Sequence, residues 1–476
     1  MDEHRIERDA LDDVLAPLGL APTGLETRLQ YHDVAPDMDS SVALALAGRT
    51  IVAAQALTTA EYWRHCGGPV QEVSVSRNDA VFALCCGLFQ SSHGHDMTIA
   101  SGAAAAMSGF YQARDGRWFH PMGTYPGLRD GALALLDCAN TPEAIARAIA
   151  GRDALDLEEA FAAANLAGTM VRSRAEWAAH PQGQALAAAP LVTVEKIADG
   201  APVQSAPPPR PFAGLRVLDF THVIAGPVLT RTLAEQGADC LRLSAPGHAD
   251  PQAFLIETAW GKRSAHLDFA RAGDLDRMRD LVRRGDVFVQ SWRPGAMEKW
   301  GLTAEELAAD HPAGLIHVTV DSWGRTGPWA NRKGFEQLAQ AATGVALQEA
   351  RDGRPCYVPT ALLADYLAAY LGAAGTVAAL IRRRRDGGSY RVHVSLARVT
   401  MWAQALTAPA RVAGAPFPPP QMPPSIQRDS AYGLLRHLAP FARFSHSQAD
   451  WALPPSPPGA HAPVWLPRDQ GASGIP

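Results

Sequence analysis

The sequence predicts an α/β protein: a doubly wound parallel sheet with an additional smaller α+β domain. Three observations lead there. From Leu215 onward, short β-branched runs alternate with helical stretches, strand–helix–strand within about 30 residues, which is the spacing of a parallel βαβ unit. Residues 199–212 (DGAPVQSAPPPRPF) are rich in proline and poor in apolar residues, so they read as a linker with a new domain after it. At 476 residues the chain is also too long for one ordinary domain.

Composition narrows the classes of function. The chain is 47% hydrophobic and 19% charged, a globular balance, and its net charge of −5 argues against a general nucleic-acid binder. Six scattered cysteines with no CxxC pair suit a reducing compartment and no structural zinc; no metal site is expected. The charged start MDEHRIERDALDD is not a signal peptide. The longest apolar run, Tyr366–Ile381, is shorter than the roughly 18–20 residues a membrane span requires. A cytoplasmic protein without a membrane partner is the expectation.

Taken in order, residues 1–30 read as a charged helical lead and Ser40–Ala60 as an Ala/Leu-rich helix. Cys66-Gly67-Gly68-Pro69 breaks it, and Val70–Ser76 alternates like a strand. Ser91–Asp96 gathers two histidines and an aspartate, a polar loop rather than a ligand set. Ala100–Tyr111 reads as a helix of small residues, and Gly116–His120 as a turn leading into a short strand. Thr141–Leu166 is helical behind the start signal Asn140-Thr141-Pro142-Glu143, and Arg172–Leu186 is a further helical stretch. Residues 1–198 thus form an N-terminal region. Residues 213–412 carry the nucleotide-fold pattern, with strands at Leu215–Phe220, Cys240–Leu243, Ser264–Leu267, Val287–Gln290 and Leu315–Val320. Helices fall between them at Val228–Gln236, Ala272–Arg284 and Thr303–Ala309. Residues 413–476 form a Pro-rich tail whose aromatics, Trp451 and Trp465 among them, could pin it to the folded body.

The stretch Pro359–Ser395 organises the rest. Asp365 heads an apolar helical run, Arg382–Arg385 suits the negative end of that helix, Gly387-Gly388 breaks it, and a β-branched strand follows. Its order matches the earlier helix, Gly67-Gly68 and Val73–Ser76, a weak internal repeat. An acid at a helix start is either a cap for free N–H groups or a functional carboxylate. Local pattern leaves both readings open.

The turn after the first nucleotide-fold strand, Asp219–Pro227, has one glycine and then proline, not the G-x-G-x-x-G of a nicotinamide site. P-loop and G-x-S-x-G motifs are also missing. What the segment resembles, from Pro211 to about Ser395, is the family III CoA-transferases (CaiB/BaiF, formyl-CoA transferase-like). The pieces that carry the resemblance stand in the family's order. They are Gly214–Phe220, Ala225-Gly226-Pro227, Gly237-Ala238-Asp239, Gly261–Ser264, Arg293–Ala296, Gly324–Pro328, Gly334-Phe335-Glu336 and Gly387-Gly388. Gly116–Leu133, Glu159–Ala167 and Arg172–Gln182 resemble the family's small domain but precede the nucleotide fold instead of following it. The arrangement reads as permuted or fused, a truncated copy ahead of a fuller one.

The resemblance implies a Rossmann-like fold and transfer of CoA between an acyl-CoA donor and a carboxylic acid, with no cofactor beyond coenzyme A as substrate. It implies Asp365 as the nucleophile that carries CoA as a thioester, with Glu336 beside it. The free N–H groups at the start of the Asp365 helix are expected to stabilise charge there. His222, Ile224, Ala225, Arg293, Ala296, Lys299 and Lys333 fall where family members contact CoA. A homodimer or a pairing with a related CoA-transferase subunit is implied as well. Ala369, Ser244 and Ile224 depart from the family's usual residues, which leaves the substrate open. Two rivals stand beside this reading. One is an α-methylacyl-CoA racemase, which needs a histidine where Phe335 stands. The other is a catalytically impaired acyl-CoA-binding subunit.

Overall fold

The computed structural model describes residues 3–20, 25, 28–97, 106–247, 250–309, 311–407 and 409–468. Its centre is a seven-stranded sheet. In chain order its strands are β1 (Thr193–Ala198), β2 (Arg216–Phe220), β3 (Asp239–Ser244), β4 (Lys262–His266), β5 (Val287–Gln290), β6 (Ile316–Asp321) and β7 (Ser389–Ser395). They lie in the order β4-β3-β2-β5-β6-β7-β1. The six from β4 to β7 are parallel, and β1 closes the edge antiparallel to β7. Numbered from β2, the parallel strands run 3-2-1-4-5-6, the doubly wound order whose direction of winding reverses between β2 and β5.

The sheet differs from the sequence reading at one edge. It recruits Thr193–Ala198 from before the proline-rich segment, so the nucleotide fold does not begin at residue 213. The strands of its middle are buried on both faces, which is why they read as continuous apolar runs.

Three helices pack together on one face: α1 (Leu44–His65), α2 (Ala225–Ala234) and α4 (Leu363–Asp386), with α3 (Glu336–Thr343) and α5 (Leu396–Ala405) flanking them. Helix α4 is long and apolar enough to cross a membrane, yet it is buried whole between the sheet, α1 and α2. Gly372 and Gly375 permit that approach. A Cβ at the first would stand 2.7 Å from Leu229 Cδ1, and at the second 2.6 Å from Val192 Cγ1. The basic run at its end does more than answer the helix dipole. Buried Arg383 pairs with Asp286 at 3.1 Å, and Arg382 donates to the carbonyls of Val194 and Leu18.

The first 80 residues hold a second, smaller unit. Leu29–His32 and Val73–Ser76 pair in parallel on either side of α1, and Ala442–Phe444 adds an antiparallel third strand. A small domain follows, with strands Tyr111–Gln112, Trp118–Met122 and Ala167–Met170 backed by three helices. The stretch read as one helix over Thr141–Leu166 is two, Pro142–Ala150 and Ala154–Ala163, broken at Gly151-Arg152-Asp153. Half of the helix expected over Ala100–Tyr111, residues 100–105, lies outside the described residues, and residues 107–111 are not helical but turn and bend into the strand Tyr111–Gln112.

The Pro-rich C-terminal stretch is folded rather than a loose tail. Ser425–Ser430 and Gly433–Leu438 form a hairpin that pairs with Ser91-Ser92, and Trp451 and Trp465 are buried. Trp451 Nε1 donates to the Arg231 carbonyl in α2 at 3.0 Å.

Candidate active site

In doubly wound sheets, ligands bind beyond the carboxyl ends of the strands where the order reverses. Here that crevice lies between the ends of β2 and β5. A buried polar knot fixes its floor. Asp219, 0% exposed, accepts from Lys262 Nζ at 2.8 Å and from the hydroxyls of Thr221 and Thr230. Lys262 Nζ also donates to the Pro227 carbonyl, so the start of α2 is tied to β2 and β4. Val223, a β-branched residue, is held at φ 66° in the turn above. Backbone strain of this kind is costly and concentrates at functional sites.

The residues assigned to CoA contact lie on the loops at this edge. His222 shares two hydrogen bonds with Ser291, its N–H donating to Oγ at 3.1 Å and its Nδ1 lying 3.0 Å from the same oxygen. Its ring lies 4.7 Å from that of Trp292. Ile224 and Ala225 follow at the head of α2, both buried. Arg293 reaches Asn165 of the small domain at 2.9 Å and the Asn331 carbonyl at 3.1 Å. Ala296 packs beside the sheet core, and Lys299 Nζ lies 5.1 Å from the Trp300 ring centroid. Lys333 is pulled below the ordinary lysine range by burial and by Arg293.

Asp365 and Glu336 come together at the start of α4. The division of labour resolves the question the sequence left open: the cap is Glu336. Its Oε1 accepts from Leu363 N at 2.9 Å, and its Oε2 accepts from Ala364 N at 2.6 Å and Asp365 N at 3.1 Å. The first-turn N–H groups that were expected to stabilise charge beside Asp365 are therefore already taken. Gln340 braces the arrangement. Its amide donates to Glu336 at 2.5 Å and to the Ala361 carbonyl at 3.0 Å, and its oxygen accepts from Val358 N at 3.1 Å. Ala361, just ahead of the helix, is held at φ 60°.

The Asp365 side chain is left over. It is 7% exposed, and its carboxyl makes no hydrogen bond among the described residues. Burial first, then the charges of Glu336 and Glu257, push its pKa well above the carboxylate range. Burial also pushes Glu336 up to about 7, against the pull of its four N–H donors. Two buried acids side by side resist ionising together.

Residues the sequence reading missed surround this pair. Tyr125 of the small domain donates to Asp250 at 2.5 Å, which in turn pairs with Arg242 at 2.7 Å, and its ring lies 6.3 Å from that of Phe335. No local pattern in the sequence marks the contacts of Tyr125 with Asp250 and Phe335, which join segments over a hundred residues apart.

The remaining titratable cluster is Cys86, Glu257 and His437, buried, with ligand atoms within 4.8 Å of one another. Arg231 lies among them, against Glu257, 3.1 Å from His437 Nε2 and 3.4 Å from Cys86 Sγ. The guanidinium supplies the positive charge a metal would bring. A cavity of about 680 Å³ is lined by Leu18, Arg64, Lys196, Arg382 and Tyr390 at the far end of α4. That is about 25 Å from Asp365 along the helix, at 1.5 Å per residue.

Residues 212–435 match the model of CoA-transferase family III. The chain is 32% identical over 321 residues to the acetyl-coenzyme A transferase nodX of Hypoxylon pulicicidum, covering 63% of this chain and 54% of the other. It is 31% identical to the acetyl-CoA:oxalate CoA-transferase of Acetobacter aceti, covering 44% and 58%. Among solved structures, a CaiB/BaiF family protein from Brucella suis matches at 26% identity and a TM-score of 0.38, covering 47% and 65%. The chain thus spans little more than half the length of the curated relatives it matches.

Proposed function

We propose, from the match of residues 212–435 to the model of CoA-transferase family III, that the protein moves CoA from an acyl-CoA donor to a carboxylic acid through a thioester on Asp365. The observation that carries the proposal is the unpaired Asp365 carboxyl at a helix start that Glu336 already caps. A cap needs no second acid, and a buried acid without a partner is costly unless it has a task.

The chemistry runs in balanced steps. An Asp365 carboxylate oxygen attacks the thioester carbonyl of the donor, and the C–S bond breaks to release CoA thiolate and leave a mixed anhydride. The thiolate then attacks the aspartyl carbonyl and expels the donor's acid, giving aspartyl-CoA. The acceptor carboxylate then attacks the aspartyl carbonyl, the C–S bond breaks to release CoA thiolate again and leave a new mixed anhydride, and thiolate attack on its acyl carbonyl restores the Asp365 carboxylate and forms the product thioester. Each step exchanges bonds of similar energy, so one hard transfer becomes several easier ones. Water must be kept from the anhydride, and the packing around Asp365 suits that need. The nucleophile must first lose its proton, and burial beside Glu336 opposes that loss, so the buried pair must shed a proton before attack. Phe335 stands where a racemase would need a proton-bearing side chain. The reading requires no cofactor besides CoA, and the loops with His222, Ile224, Ala225, Arg293, Ala296, Lys299 and Lys333 are its assigned CoA contacts.

In this conformation Asp365 is nearly closed off, so a pantetheine arm reaches it only after the packing around it opens. The same closure favours the second reading, an acyl-CoA-binding subunit without turnover. Incubation with acetyl-CoA, trapping with hydroxylamine and mass spectrometry of the Asp365 peptide separate the two. An adduct missing in Asp365→Ala supports transfer; binding of acetyl-CoA with an unmodified peptide overturns it.

A further inference from the structure

Beside the carboxyl pair, the small domain contributes a buried imidazole that the proposed steps do not use. His120 lies on strand Trp118–Met122 and is 0% exposed. Its Nε2 meets the Tyr357 hydroxyl, and its Nδ1 has no partner among the described residues. Phe110 packs against both rings, with centroids 4.9 Å away in each case. Burial pushes the His120 pKa down to about 4, so the ring is neutral and carries one N–H.

Which nitrogen holds that hydrogen decides what Tyr357 can do. On Nδ1 it would be a buried donor with no acceptor, the rarer and costlier kind of unmet group. On Nε2 it donates to the Tyr357 oxygen and leaves only an unmet acceptor behind. The phenol hydrogen must then point elsewhere. The Ser108 carbonyl is 3.5 Å from the phenol oxygen, beyond the range of a good hydrogen bond. Tyr357 thus presents a hydroxyl donor that the protein meets only through this long contact. Its loop leads directly to the carboxyl pair, since Gln340 holds Val358 and Ala361 on one side and Glu336 on the other. The charge of Glu336 is felt at the phenol, adding to the rise that burial causes.

We propose that the Tyr357 hydroxyl donates a hydrogen bond to a carboxylate oxygen of the bound acid, and that His120 is the positioning residue that turns the hydroxyl toward it. The inference rests on the transfer reading above and adds how the free acid is recognised.

Three variants test it: Tyr357→Phe, His120→Leu and His120→Gln, the last keeping an amide donor near the place of Nε2. With acetyl-CoA as donor and oxalate, succinate and malate as acids, Tyr357→Phe raises the acid KM roughly tenfold to a hundredfold, the worth of one hydrogen bond to a charged group. Its kcat falls by a smaller factor. His120→Leu follows Tyr357→Phe, and His120→Gln recovers most of the loss, which a purely structural role would not produce. An acid KM within twofold of the parent in Tyr357→Phe overturns the proposal, as does equal damage in the two His120 variants. Missing Asp365 label in the parent protein is the separate failure of the transfer reading. Calorimetric titration of the three acids then reads the hydroxyl directly: weaker binding in Tyr357→Phe supports the contact, and unchanged binding, or no binding to the parent, overturns it.

Discussion

Glu336→Gln tests the most unusual feature of the site, a helix cap made by a buried acid that titrates near neutrality. In the parent protein the folded pKa is about 7, against an ordinary value of 4.5. The folded state therefore holds the proton more tightly than the unfolded chain does. A raised carboxyl contributes its stability fully below pH 4.5, and that contribution is lost as pH rises through 7. At 1.36 kcal/mol per pKa unit, the loss is about 3 kcal/mol. Glutamine fits the same space and does not titrate. It keeps one acceptor oxygen for the N–H groups of Leu363, Ala364 and Asp365 but turns an NH₂ toward the others, which costs roughly 1–3 kcal/mol. The variant should be the weaker protein at pH 5, and the gap should close by about 3 kcal/mol between pH 5 and pH 8. Urea titrations of both proteins across that range give the difference curve, in which groups common to the two largely cancel. Parallel curves would refute the idea that Glu336 ionises at a cost inside the fold.

Other outcomes follow from the same geometry. Asp365→Asn should fold and lose transfer by at least about a thousandfold, seen in steady-state assays alongside an unchanged melting curve. Labelling of Asp365 by acetyl-CoA should rise as pH increases through 7, because the carboxyl pair must shed a proton before attack; a rate flat from pH 6 to 8 would contradict this. Lys262→Met leaves Asp219 buried without its partner and should cost about 3–5 kcal/mol by chemical denaturation, most of it recovered when Asp219→Leu is added. Intact-mass analysis should find one CoA adduct per chain.

The sequence was most legible where burial is two-sided. Val217, Leu218, Val287, Phe288, Val289 and Val318 lie on strands covered on both faces, so their apolar runs announce the parallel sheet directly. Strand Thr193–Ala198 was not legible for the converse reason. Half-exposed at the sheet's edge, it carries neither alternation nor an apolar run, and only its partner β7 makes it a strand. The site divides in the same way. Asp365 stands out because it is the one acid at the head of a long apolar run, Tyr366–Ile381. Its relation to Glu336 is a backbone contact across 29 residues, and that of Tyr357 to His120 spans 237, distances at which local pattern carries no signal.

The internal repeat bears on why the proposed reading gives this work to one carboxyl and not two. Leu29–His32, α1 and Val73–Ser76 repeat the topology of β6, α4 and β7, with His32 opposite Ser76 as Asp321 is opposite Ser395. Each parallel pair is finished by an antiparallel strand, and each of those strands follows the other unit in the chain. Thr193–Ala198 comes after the first unit and closes the second; Ala442–Phe444 comes after the second and closes the first. The two long helices, α1 and α4, pack against each other at the join. Asp365 lies thirty residues before Ser395, and thirty residues before Ser76 stands Leu46. Leu46 is 3% exposed and packs with Ala10 and Ala43 in an apolar cluster. In the first unit, then, the position that needs a dry setting for a charge has kept the dry setting without the charge. An acid placed there would face the desolvation cost that raises Asp365, without a Glu336 to hold its helix. The first unit lends packing to α4, and on the proposed reading the chemistry falls to the second.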